Sequence, residues 1–158
     1  YWHHLQDVVK NLEMMGIKDE SILCSGWLHD SIEDTSSDFD DVSKNFGKKI
    51  AQIVSDLTKD TRFPKNQQEK NYLTQLSNSS WQAKVVKFAD ILANISDLKN
   101  SELNKKQQIV QVKYKIKYLG AIKSGIIENK TKIPNLSEAG NMLNLVLQQY
   151  GQRKIILS

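Results

Sequence analysis

The chain has 158 residues, 39% hydrophobic and 25% charged, with a formal net charge of +4. These are ordinary values for a globular protein, enough to bury a core as one domain over residues 1–158. No apolar run approaches the roughly 20 residues that span a bilayer, so no membrane partner is expected. The single cysteine, Cys24, excludes an internal disulfide and every multi-cysteine zinc site. A reducing cytoplasm is the expected setting, with Cys24 a small core residue.

Helical periodicity governs the pattern from the start. Leu5, Val8, Val9, Leu12 and Met15 share one face of a first amphipathic helix, which Gly16 ends. Ile22, Leu23, Trp27 and Leu28 predict a second, more buried helix that delivers His29 and Asp30 at its carboxyl end. Beyond a Ser/Asp-rich loop, Val42, Phe46, Ile50, Ile53, Val54 and Leu57 mark a third. Residues 59–68 (KDTRFPKNQQ) read as a loop punctuated by Pro64, and a short helix follows over 69–76. Ser79 or Ser80 is placed to cap a long helix over 81–98. Further helices are expected over 103–128 and 137–150, with Pro134 between them. VKYKIKY, residues 112–118, alternates like a strand, yet Ile109, Val112, Ile116, Leu119 and Ile122 keep helical spacing and no partner strand is in view. The fold class is therefore all-α.

Many lysines (Lys99, Lys105, Lys106, Lys113, Lys115, Lys117 and Lys123) fall beside one predicted helix and read as a solvated face. No interleaved aromatics or zinc-finger spacing accompany them, so no nucleic-acid partner is expected. The positive balance would help attract an anionic substrate.

The crowding at residues 26–35, GWLHDSIEDT, asks for an explanation. His29-Asp30 and Glu33-Asp34 put three carboxylates and an imidazole into six positions, which suits a solvated helix end or a metal site. The helix over 81–98 carries an apolar stripe of Val85, Phe88, Ala89, Leu92 and Ile95. Lys87, Asp90, Asn94 and Asp97 follow the opposite face, a stripe that taken alone reads as solvated. The first helix adds His4, with His3 as its rival. Two neutral imidazoles and two carboxylates, one of them from this later helix, can hold a divalent transition ion and leave positions open for water and substrate.

The order His … His-Asp … Asp resembles the HD-domain metal-dependent phosphohydrolases, an all-helical superfamily. HDSIEDT is similar to the HDxxEDT signature of the RelA/SpoT-type hydrolase domain, which removes the 3′-pyrophosphate of guanosine tetra- and pentaphosphate. FADILANISDL (residues 88–98) resembles that family's ADxxxN motif, and FPKNQQEKNYL its proline, lysine and Glu-Arg region. Residues 135–158 resemble the final helix and tail of the stand-alone metazoan members. The resemblance implies an HD helical bundle, Mn²⁺ as the ion, a guanine nucleotide alarmone as the substrate, and the metal ligands His4, His29, Asp30 and Asp90. It implies that Glu33 and Asp34 act on the attacking water, that Asn94 contacts the sugar, and that Lys65 and Glu69 lie near the substrate.

Three departures stand out. Leu5 replaces a proline, and Lys70 replaces the arginine of the Glu-Arg pair, losing its bidentate fork. The chain also begins at Tyr1, after the family's amino-terminal helix and base-holding basic loop, so that helix is expected to be missing from it. Other HD hydrolases, acting on NADPH or a deoxynucleoside monophosphate, share the same metal core. A catalytically inactive alarmone-binding module would have lost a ligand or one of the acidic pair.

Overall fold

The computed structural model describes all 158 residues, and every regular element in it is helical. The order is α1 (Trp2–Met14), α2 (Glu20–Leu28), α3 (Ser31–Asp34), α4 (Phe39–Phe46), α5 (Lys48–Leu57), α6 (Lys65–Asn78), α7 (Trp81–Asp97), α8 (Lys105–Glu128) and α9 (Leu136–Gln149), with 3-10 turns at Leu98–Asn100 and Lys130–Lys132. No helix is long and apolar enough to cross a membrane.

The axis of the bundle is α7, with α1, α2, α5, α8 and α9 packed around it. It starts where Ser80 stands, because the Ser80 hydroxyl accepts from the Ala83 N–H at 3.2 Å and satisfies an otherwise orphaned donor. Its apolar stripe of Val85, Phe88, Ala89, Leu92 and Ile95 is buried as predicted. Burying a side chain of Phe88's size contributes roughly 1.5–3 kcal/mol. The opposite stripe is not solvated. With helices on both sides of α7, Lys87 and Asp90 are buried too, Asn94 is half-buried, and only Asp97 is exposed. Residues 112–118 are helical within α8, which a reciprocal Asn104–Gln107 capping box begins.

Three stretches differ from the sequence reading. The predicted third helix is two, α4 and α5, broken at Gly47, whose φ of +94° suits glycine alone. The apolar period survives the break because both helices fold onto one small core of Val42, Ala51 and Val54. Residues 65–68 are helix rather than loop. Pro64 is the residue before the first turn, and its carbonyl accepts from the N–H groups of Gln67 and Gln68 at 2.9 Å, so its lack of an N–H costs α6 nothing. The Ser/Asp loop holds one helical turn, α3, directly after Asp30. Cys24 is half-buried and free, so it sits at the edge of the core.

Candidate metal centre

Three helices bring the centre together. His4 lies in the first turn of α1, His29 and Asp30 directly follow α2, and Asp90 sits midway along α7. Close approach of α1 and α2 depends on Gly26, since a Cβ there would stand 2.8 Å from Leu12 Cδ1. The two imidazoles meet with ring centroids 5.5 Å apart. His4 Nε2 is 3.1 Å from Asp90 Oδ1 and 3.9 Å from Asp30 Oδ2, and His29 Nε2 is 3.5 Å and 3.1 Å from the same two atoms. His3, the rival on α1, is exposed.

The electrostatics are those of a site that demands positive charge. Asp90 is only 4% exposed. Its Oδ2 accepts from Lys87 Nζ at 2.9 Å, and its Oδ1 accepts from Asn94 Nδ2 at 2.7 Å while facing both histidines. Burial works against its charge, but Lys87 and the two imidazoles outweigh burial and hold the carboxyl well below the usual range. Burial likewise opposes the charge on Lys87, and Asp90 foremost overrides it, raising the ammonium. His29 is buried, yet Asp30 and Asp90 beside it push its imidazole up to about 10.

A dication fits these residues. His29 Nδ1 lies 2.8 Å from the Gly26 carbonyl, so that nitrogen donates to the carbonyl and Nε2 is the one left to bind a metal once its proton is displaced. That Nε2 is fully buried, and despite its closeness to the two carboxylates it makes no hydrogen bond. A buried acceptor aimed at His4 and Asp90 is what a metal ligand looks like, and one ligand atom each from His4, His29 and Asp90 falls within 4.8 Å of the others. A field that would protonate a buried imidazole is also one in which a dication displaces that proton.

The centre opens into a cavity of about 240 Å³, lined by His4, Asp30, Asp90 and Asn94 together with Glu33, Lys59, Tyr72, Lys87, Lys115 and Tyr118. Glu33, on α3, is held by the backbone N–H of Lys59, which donates to its Oε1. Asp34 is exposed and lines the adjoining cleft instead. Glu69 is half-buried and engaged twice, by Lys59 Nζ at 2.6 Å and by the Tyr118 hydroxyl at 2.9 Å. Lys65 and Lys70 are exposed on α6, and neither lines the cavity.

Sequence reasoning missed Lys59, Lys115, Tyr72 and Tyr118, and gave Lys87 no part in the site. Lys87 had a signal, three residues before Asp90 on one helix face. The others come from separate segments, the α5–α6 connection, α6 and α8, and no local spacing announces them. Lys115 also departs from the solvated lysine face predicted for α8, turning into the cavity while Lys105, Lys106, Lys113 and Lys117 stay exposed.

An all-helical bundle that gathers His, His-Asp and Asp around a buried acceptor defines a class. The chain belongs to the HD-domain family, whose model matches residues 1–126. Among its relatives, the guanosine-3′,5′-bis(diphosphate) 3′-pyrophosphohydrolase MESH1 of Drosophila melanogaster is 35% identical over 99 residues, 62% of this chain and 55% of that protein. The Homo sapiens protein of the same name is 39% identical over 83 residues, 52% and 46% of the two chains. The chain thus spans about half the length of the curated relatives it matches. A solved structure, described as a metazoan ortholog of SpoT that hydrolyzes ppGpp and plays a role in starvation responses, superposes with a TM-score of 0.78 at 26% identity, covering 96% of this chain and 82% of that one.

Proposed function

We propose that this chain is a metal-dependent phosphohydrolase, with Mn²⁺ as its ion, that removes the 3′-pyrophosphate of guanosine 3′,5′-bis(diphosphate). The products would be guanosine diphosphate and pyrophosphate. The observation that carries the reading is the buried Nε2 of His29, free of hydrogen bonds and facing Asp30 and Asp90. His4, His29, Asp30 and Asp90 would hold the ion. The relatives' names supply the substrate class.

When bound, a dication neutralises phosphoryl charge and lowers the pKa of the attacking water. The chain's own groups do the rest. The Lys59 N–H fixes Glu33 through Oε1, leaving Oε2 to accept the water's proton as the water oxygen bonds to phosphorus. The bond that breaks joins that phosphorus to the ribose 3′-oxygen, which departs and takes a proton from solvent. Asp34, beside Glu33 on the same turn, orients incoming water from the adjoining cleft. Asn94 gives its amide N–H to Asp90 and keeps its Oδ1 for a ribose hydroxyl. Glu69 acts towards the substrate by holding Lys59 and Tyr118, and Lys65, at the start of α6, is left to meet an outer phosphate.

The test is a hydrolysis assay with added Mn²⁺ on guanosine 3′,5′-bis(diphosphate), NADPH and a deoxynucleoside monophosphate, with Asp90→Ala as the blank. Pyrophosphate release from the guanine nucleotide alone is the expected outcome. Phosphate release from either competitor would keep the metal chemistry and overturn the substrate. Tight alarmone binding without turnover would make the protein a binding module.

A further inference from the structure

Three lysines line the cavity beside the metal centre, and two of them are neutralised by carboxylates. Lys59 pairs with Glu69 at 2.6 Å and Lys87 with Asp90 at 2.9 Å. Lys115, from α8, lines the same cavity yet makes no ion pair and no hydrogen bond. Its Nζ stands over the Tyr118 ring, 5.6 Å from the ring centre. Burial first, then the like charges of Lys87 and Lys59, press its amine below the usual lysine range, while Asp90 and Asp30 work the other way from across the cavity. A half-buried ammonium beside two others and without a counter-ion of its own destabilises the ligand-free protein. Packing does not call for it, because a methionine would offer α8 the same stem without the charge.

A pyrophosphoryl group carries more negative charge than one dication cancels, and the charges of Lys59 and Lys87 are already answered within the chain. Resting on the activity proposed above, we infer that Lys115 is the residue that binds the pyrophosphoryl group and selects for it over a single phosphate. It is the one uncommitted positive charge lining the cavity. Its repulsion from Lys59 and Lys87 in the free protein is relieved when the anion arrives.

The experiment compares the parent with Lys115→Met and Lys115→Arg. Each Mn²⁺-saturated protein is titrated by calorimetry with manganese pyrophosphate and with inorganic phosphate, the same solutions run into buffer serving as blanks. Thermal melts of the ligand-free proteins run alongside. Lys115→Met should weaken pyrophosphate binding roughly tenfold or more, the loss of a charge-assisted contact. It should weaken phosphate binding less, leave Mn²⁺ affinity unchanged, and melt at the parent's temperature or higher. Lys115→Arg should restore most of the pyrophosphate affinity. Unchanged pyrophosphate binding in Lys115→Met would overturn the inference, and so would a lower melting temperature that Lys115→Arg does not correct, since that marks a structural role. The two readings fail separately. A parent protein that hydrolyses the alarmone while Lys115→Met binds pyrophosphate normally refutes only the inference. Lys115-dependent pyrophosphate binding in a protein that leaves the alarmone intact refutes only the proposed activity.

Discussion

Helix α7 buries two lysines one turn apart, Lys84 and Lys87, each 8% exposed, and they belong to different kinds of region. At the α6–α7 junction, Lys84 Nζ donates to the carbonyls of Ser77 and Ser79 at 2.9 Å each. Those carbonyls end α6, where the last C=O groups lack helical partners and the helix dipole is negative. No carboxylate takes part. At the metal centre, Lys87 Nζ sits against Asp90 and over the rings of Tyr72 and Tyr118, 5.3 Å from each centre. Equal burial thus carries opposite meaning. An ammonium held by backbone carbonyls is a closed arrangement that a ligand cannot alter. One that shares its carboxylate with two imidazoles is electrically open, because a cation at the centre changes the charge its partner feels.

The largest expected effect breaks the open member of the pair. Lys87→Met leaves Asp90 buried without its counter-charge, a loss of the kind that costs about 3–5 kcal/mol. Urea unfolding of the metal-free protein should show a drop of that size. Added Mn²⁺ should recover most of it by giving Asp90 a cation again. A loss that Mn²⁺ leaves untouched would move Lys87 into the same class as Lys84.

The closed member should behave otherwise. Lys84→Met keeps the stem but strips two carbonyls of their donor, at about 1–3 kcal/mol. The same urea experiment should give this smaller drop with and without Mn²⁺, and turnover on the favoured nucleotide should stay at the parental rate. A fall in turnover would show that the end of α6 is coupled to Glu69 and, through Lys59, to Glu33.

This contrast also marks how far the sequence could be read. His4, His29, Asp30, Asp90, Glu33 and Asn94 could be singled out from the order His … His-Asp … Asp and the motifs that resemble the RelA/SpoT-type domain, and the structure brings these six to one place. The break at Gly47 was not, because α4 and α5 feed one small core and keep their period in phase across it. Nor were Lys59, Lys115, Tyr72 and Tyr118, whose meeting depends on how α6 and α8 pack, not on any local pattern. The polar stripe of α7 looked solvated because a lone helix cannot reveal that neighbours cover both of its faces. Lys84 itself drew no attention, since a lysine that caps another helix's carbonyls looks in sequence like any surface lysine.

The smallest effect is the sharpest test of the closed site, because its sign should reverse. Gly125 of α8 leaves room for Lys84: a Cβ there would stand 2.5 Å from Lys84 Cδ and 2.9 Å from both Cε and Nζ. Gly125→Ala therefore sets two effects against each other. Alanine in a helix interior is worth up to about 1 kcal/mol over glycine. The new methyl, however, drives Lys84 from the Ser77 and Ser79 carbonyls, and that loss of about 1–3 kcal/mol is the larger. In the parent, Gly125→Ala should lower stability. In a Lys84→Ala background the three nearest obstructing atoms are gone, and the same substitution should raise stability by up to about 1 kcal/mol. Urea curves on the four proteins of this cycle measure both. Stabilisation in both backgrounds would mean that Lys84 swings aside without cost, so that the carbonyl contacts contribute nothing measurable and only Lys87 is a committed buried cation.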